Sequence, residues 1–189
     1  TLGLAHPELC VENAAGDRYA FALCPSQPRV RAHLASLVRD VARRLRPDAV
    51  VLDSFAYLDA VHREHHELMF VSPGAFGKHL LSLCFCQWCI SLFSGDGHAL
   101  KNKVATLLQP FLEESDPWLS LQLTKATLGE ICGDELLDYL ASREAIVAQR
   151  YQEVSAAANR YNVRTKFIDQ APLIEGSGST PLRMSWQVG

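Results

Sequence analysis

An excess of charge of either sign is missing from this chain: 18 lysines and arginines stand against 21 aspartates and glutamates in 189 residues, a net charge of −3. That balance leaves no electrostatic footprint for nucleic acid, so a basic RNA- or DNA-binding module is not expected. Long apolar runs are missing as well. The longest, from about Leu80 to Phe93, is interrupted by Ser82, Gln87 and Ser91 and falls short of the roughly 20 residues that cross a bilayer, so no membrane partner is expected. No signal segment is visible, and the chain opens at Thr1 without a methionine. A fragment or processed product with a cytoplasmic address is expected. Internal repeats and low-complexity tracts are lacking too. With 48% hydrophobic residues, one domain with a well-buried core, or part of one, is expected.

Cysteine is where the sequence is rich. Cys84-Phe85-Cys86-Gln87-Trp88-Cys89 crowds three thiols into six residues, and Cys24 stands far upstream in Leu23-Cys24-Pro25. Zinc takes four thiolates tetrahedrally, and a Cys-x-Cys-x-x-Cys turn delivers three of them from one loop, so Cys24, Cys84, Cys86 and Cys89 are the expected ligands of a structural zinc. Other readings stay open. Disulfides need an oxidising compartment, and Cys84 and Cys86 sit too close to bridge each other easily. Cys86 and Cys89 form a Cys-x-x-Cys that could be a redox pair, although the thioredoxin-like setting is not evident. Buried free thiols and an iron–sulfur cluster complete the alternatives. Cys10 and Cys132, without close partners in sequence, read as small apolar packing residues.

The rest of the chain alternates helix-like and strand-like segments. From Pro28 to Arg46, Val30, Leu34, Leu37, Val38, Val41 and Leu45 recur at helical spacing opposite Arg31, Arg39, Asp40, Arg43 and Arg44. Ser26 suits the cap, Pro28 the first turn and Pro47 the stop. Ala49-Val50-Val51-Leu52 is continuous rather than alternating, which predicts a fully buried strand. A long helix follows over Glu135 to Tyr161, with Leu140, Val147, Val154 and Tyr161 on one stripe and Leu137, Tyr151 and Ala158 beside it, then a strand from Val163 to Ile168. Shorter helices are expected over His98 to Leu112 and part of Ser72 to Leu83, and a last short strand over Leu182 to Val188.

In parallel α/β folds the residues after the carboxyl ends of strands form the ligand face. That rule selects Asp53, Ser54 and Tyr57 after the first strand, and Asp169 and Gln170 after the second. Tyr57 leads into a loop dense in imidazole and carboxylate, where His62, His65 and His66 with Glu64 or Glu67 offer donors for a second metal or for a sugar. Their spacing matches no zincin pattern. A solvated loop and, for Asp53, a helix cap are the plainer readings.

Leu23-Cys24-Pro25-Ser26-Gln27-Pro28 resembles the Cys-Pro-x-x-Pro segment that opens a barrel helix in family 42 glycoside hydrolases, the β-galactosidase family, and Cys84, Cys86 and Cys89 are similar to that family's Cys-x-Cys-x-x-Cys. The resemblance implies an α/β fold of the (β/α)8 TIM-barrel type, covered in part from near the third strand to just past the fifth, with residues 84–134 as a loop-and-helix insertion. It implies a structural zinc on Cys24, Cys84, Cys86 and Cys89, and a glycoside hydrolase-like protein that acts on or binds carbohydrate. Asp53 then stands at the catalytic strand end, with Tyr57, His62, His65, His66 and Asp169 binding substrate and Trp88 or Trp186 stacking on a sugar face. The chain departs from the family where an Asn-Glu pair carries the acid/base: it reads Asp53-Ser54, and retaining hydrolysis needs two carboxylates. Two other readings stand beside this one, a metal-dependent sugar isomerase or lyase barrel, and a non-catalytic zinc-stabilised scaffold that binds carbohydrate or protein.

Overall fold

The computed structural model describes residues 2–60, 74–112, 117 and 119–168. A short helix, α1 (Leu2–Ala5), and a 3-10 turn at Pro7–Leu9 lead into an antiparallel hairpin of β1 (Cys10–Glu12) and β2 (Arg18–Leu23). The hairpin closes through an Asn13 side chain that accepts the Asp17 N–H at 2.9 Å, an Asx-type turn. Helix α2 (Pro28–Leu45) starts with proline in its first turn, where the missing N–H has no helical acceptor to lose. It stops at Arg46, in the left-handed conformation, just before Pro47. Strand β3 (Ala49–Leu52) follows directly.

The middle of the chain is helical. It holds α3 (Ala75–Leu81), α4 (Gln87–Leu92), α5 (Gly97–Leu112) and α6 (Lys125–Cys132). Thr124 and Thr127 cap α6 reciprocally, each side chain bonding the other's backbone N–H. Gly133 turns α6 into α7 (Asp134–Asn159) at a φ of 82°, a conformation that strains any residue with a Cβ. Strand β4 (Arg164–Phe167) then pairs in parallel with β3, Ala49 opposite Arg164 and Leu52 opposite Phe167.

Two apolar clusters hold these elements. The larger gathers Val11, Phe76, Leu80, Phe85, Leu100, Val104, Leu128, Leu136 and Tyr139 between the hairpin and helices α3 to α7. The smaller joins Val38 and Ala42 of α2 to Val154 and Ala158 of α7, with Phe55 and Val163 beneath. Arg31 and Glu153 form an ion pair across the same α2–α7 contact.

The expectation of a (β/α)8 barrel, whole or partial, is corrected here. Seven α-helices and two separate two-stranded sheets make up the described residues, one sheet antiparallel and one parallel. A barrel closes only when each strand has neighbours on both sides. Among the described residues β3 and β4 have only each other. For the same reason β3 is not the fully buried strand expected: Val51 is 57% exposed, while Val50 and Leu52, on the opposite side of the pleat, pack on the smaller cluster. A continuous apolar run fits an edge strand with one covered face as well as it fits a barrel strand. Residues 84–134, expected as a loop-and-helix insertion, carry α4, α5 and α6, whose described residues supply much of the main core.

Candidate metal centre

Cys24 ends the hairpin. Its N–H donates to the Leu9 carbonyl at 2.8 Å, and the turn Cys24 to Gln27, closed at 3.2 Å, delivers the chain to α2. Cys84 follows α3, Cys86 stands at the N-cap of α4, and Cys89 lies in its first turn. The cysteine loop is held to the hairpin by Phe85 N–H on the Glu12 carbonyl at 2.6 Å, and by Glu12 N–H on the Cys84 Sγ at 3.4 Å. From the other side Tyr139 of α7 donates its hydroxyl to the Cys84 carbonyl and stacks on Phe85, with ring centroids 5.1 Å apart.

These supports bring together the four cysteines that the spacing singled out. Their sulfurs all lie within 4.8 Å of one another, and all four residues are buried. Cys24 is the hub, 3.5 Å from the Sγ of Cys89, 3.5 Å from that of Cys86 and 3.6 Å from that of Cys84. Such separations are far longer than the roughly 2.05 Å of a disulfide bond, and all six cysteines of the chain are free. Four thiols grouped in this way can bind a metal ion. Cys10 and Cys132 stay outside the group as buried packing residues, as expected.

The group is electrostatically divided. Burial pushes the thiols of Cys24 and Cys84 well above their ordinary range. Hydrogen bonding from Cys24 pulls Cys86 and Cys89 down, toward the thiolate form that binds metals. Around the sulfurs lies a polar shell. Ser26 Oγ is 2.9 Å from Cys24 Sγ and 3.1 Å from Cys89 Sγ, and the Tyr57 hydroxyl is 3.4 Å from Cys89 Sγ. Arg143 spreads its guanidinium over the Tyr57 ring, 4.0 Å from the centroid.

Compared with protein-family models, with the curated proteins and with solved structures, the chain matches none. The likeness to family 42 glycoside hydrolases therefore rests on the cysteine motifs that suggested it.

Of the other residues the sequence selected, Asp53 follows the carboxyl end of β3 and is exposed. Tyr57 is half-buried against the sulfur group. Trp88 is 42% exposed and shares a cleft of about 620 Å³ with Cys86, Arg29 and Lys101. His62, His65, His66, Asp169, Trp186 and the strand expected over 182–188 lie outside the described residues. Sequence reasoning missed Ser26 as a neighbour of the sulfurs, and it missed Arg143 and Arg150. The latter two were legible as charges seven residues apart on one helix face, but nothing in the pattern told that this face is buried.

Proposed function

We propose that this is a zinc protein whose Cys24, Cys84, Cys86 and Cys89 hold one structural Zn(II). The observation that carries this reading is the mutual distance of the four buried sulfurs. Zinc–thiolate bonds of about 2.3 Å in a tetrahedron place sulfurs about 3.8 Å apart. The three separations from Cys24, 3.5, 3.5 and 3.6 Å, are close to that spacing. The separations from Cys24 need to open by only about 0.2–0.3 Å to reach it.

Four sulfur ligands close the coordination sphere, so the metal fixes geometry and has no position for water or substrate. What it fixes is the junction of three segments: the end of the β1–β2 hairpin, the start of α2, and the α3–α4 turn. Ser26 and the backbone N–H of Glu12 supply the hydrogen bonds to sulfur that metal–thiolate centres commonly receive from their surroundings. The carbohydrate-cleaving reading took its catalytic geometry from an eight-stranded barrel, and the β3–β4 pair does not supply that frame. The proposal therefore rests on the sulfur group.

Elemental analysis of the purified protein, alongside thiol titration before and after chelation, tests it. About one zinc per chain, with thiols protected until chelator is added, is expected. Iron with its visible thiolate absorption, or a metal-free protein with freely reactive thiols, overturns the zinc assignment.

A further inference from the structure

Buried side-chain nitrogen and oxygen atoms nearly always find a hydrogen-bond partner, and those that do not call for a reason. Among the described residues three such atoms have none: His79 Nε2, Arg143 Nε and Arg150 Nε. All three belong to basic side chains. Arg150 is only 2% exposed, and what faces its guanidinium is the ring of Phe55, 4.5 Å away. Arg31, the neighbouring cation of α2, already has Glu153 as its partner. Arg143 gives one bond to the Ser82 carbonyl at 3.3 Å and lies on Tyr57, leaving its Nε–H unused. A buried guanidinium N–H without an acceptor is costly, because it has left water and gained no bond in exchange. Burial accordingly lowers Arg150 to about 10.

The placement of these groups is as informative as their isolation. Phe55 and Tyr57 directly follow the carboxyl end of β3, after a turn at Ser54 with a φ of 54°. Arg150 and Arg143 stand seven residues apart on the face of α7 that covers this end, two helical turns and about 10 Å along the axis. Ligands of parallel α/β units bind beyond the carboxyl ends of strands. The sulfur group supplies no acceptor atom for either Nε–H.

The geometry points to an oxyanion site at the carboxyl edge of the β3–β4 pair, in which Arg150 and Arg143 take the carboxylate or phosphate group of a small ligand over the rings of Phe55 and Tyr57. Arginine's planar fork suits either group, and aromatic rings beneath the guanidinium hold the fork in place without competing as acceptors. This site does not depend on which metal the cysteines hold.

Calorimetry and thermal melts of the protein as purified, titrated with inorganic phosphate and separately with acetate at constant ionic strength, test the proposal. Saturable binding with a rise in Tm is expected for one or both, and the anion that responds tells a phosphate site from a carboxylate site. Arg150→Lys keeps the charge but loses the Nε–H, and weakens binding about ten-fold. Arg143→Lys serves as the second variant and is expected to act in the same direction. Arg160→Gln, at the exposed end of the same helix, leaves binding unchanged. No saturable binding of either anion, or equal binding by Arg150→Lys and Arg160→Gln, overturns the site.

Discussion

The hydroxyl of Tyr57 lies 3.4 Å from the Sγ of Cys89. Burial pushes this phenol up, so it stays protonated and donates to sulfur, while its ring carries the Arg143 guanidinium on one face. One side chain thus connects the sulfur group to α7. Hydrogen bonds from outside the ligand set typically set metal affinity within a factor of 10 to 100. Tyr57→Phe removes the donor and keeps the ring, so zinc affinity falls by about ten-fold while the fold persists. Competition with a chromophoric chelator measures this, and an unchanged affinity means that the hydroxyl does not serve the thiolate.

Tyr139 supports the same loop from the opposite side, fully buried between Phe85 and Phe93, with its hydroxyl on the Cys84 carbonyl. Tyr139→Phe preserves the stacking but strands a buried carbonyl, which costs about 1–3 kcal/mol. Urea denaturation should show that loss in both the metal-loaded and the chelated protein, because the bond holds backbone rather than sulfur. A loss confined to the loaded form would instead place Tyr139 among the determinants of metal binding.

The cysteine set was legible because thiol spacing is a local signal, and the distant Cys24 was named by its Cys-Pro setting rather than by geometry. Helix α2 was legible through its apolar spacing, Pro28 and Pro47 together. The parallel strand pair was legible in type but not in exposure, since nothing in Ala49 to Leu52 tells whether one face or two will be covered. The hairpin was not legible: Cys10–Glu12 is three residues long, and its pairing with Arg18–Leu23 is fixed by contacts to Phe85 and Cys84 more than seventy positions away. Helix α4 hid inside the cysteine loop for the same reason. On α7 the apolar pattern placed one stripe on Leu140, Val147, Val154 and Tyr161 with Leu137, Tyr151 and Ala158 beside it, whereas the structure buries Leu136, Tyr139, Ile146, Arg150, Val154, Ser155 and Ala158, so only Val154 and Ala158 are shared. An arginine in a buried stripe breaks the periodicity by which such stripes are recognised.

His79 gives the fold a dependence on pH. It is 8% exposed within α3, and burial, reinforced by the nearby Arg143 charge, lowers it from 6.5 to about 4. Between those values the unfolded chain binds a proton that the folded chain does not, so stability falls as pH drops from about 6.5 toward 4 and is fully present above 6.5. The full contribution is about 3 kcal/mol. Acid also strips metal from thiolates, so the contribution of His79 is read as the difference between the protein and His79→Gln in urea melts at pH 7 and pH 5. The variant should lose less stability over that interval, and identical losses would show that the imidazole charges without cost.

Cys24 and Cys132 offer the sharpest separation of metal binding from packing, because both are fully buried and only Cys24 belongs to the sulfur group. Replacing either with alanine removes one sulfur from a close-packed interior, a loss of about 1–2 kcal/mol that both variants share. Cys132→Ala should stop there and retain about one zinc per chain. Cys24→Ala also removes the one sulfur of the group that comes from outside the Cys84–Cys89 loop, so the remaining thiols of that loop must hold the ion without the hairpin. The metal is then lost to a mild chelator, and the stabilisation that comes from binding only the folded state goes with it, several kcal/mol beyond the packing loss. Metal analysis after desalting and urea melts on the same samples measure both quantities. Equal zinc retention by the two variants would remove Cys24 from the ligand set and reduce the upstream cysteine to a packing residue.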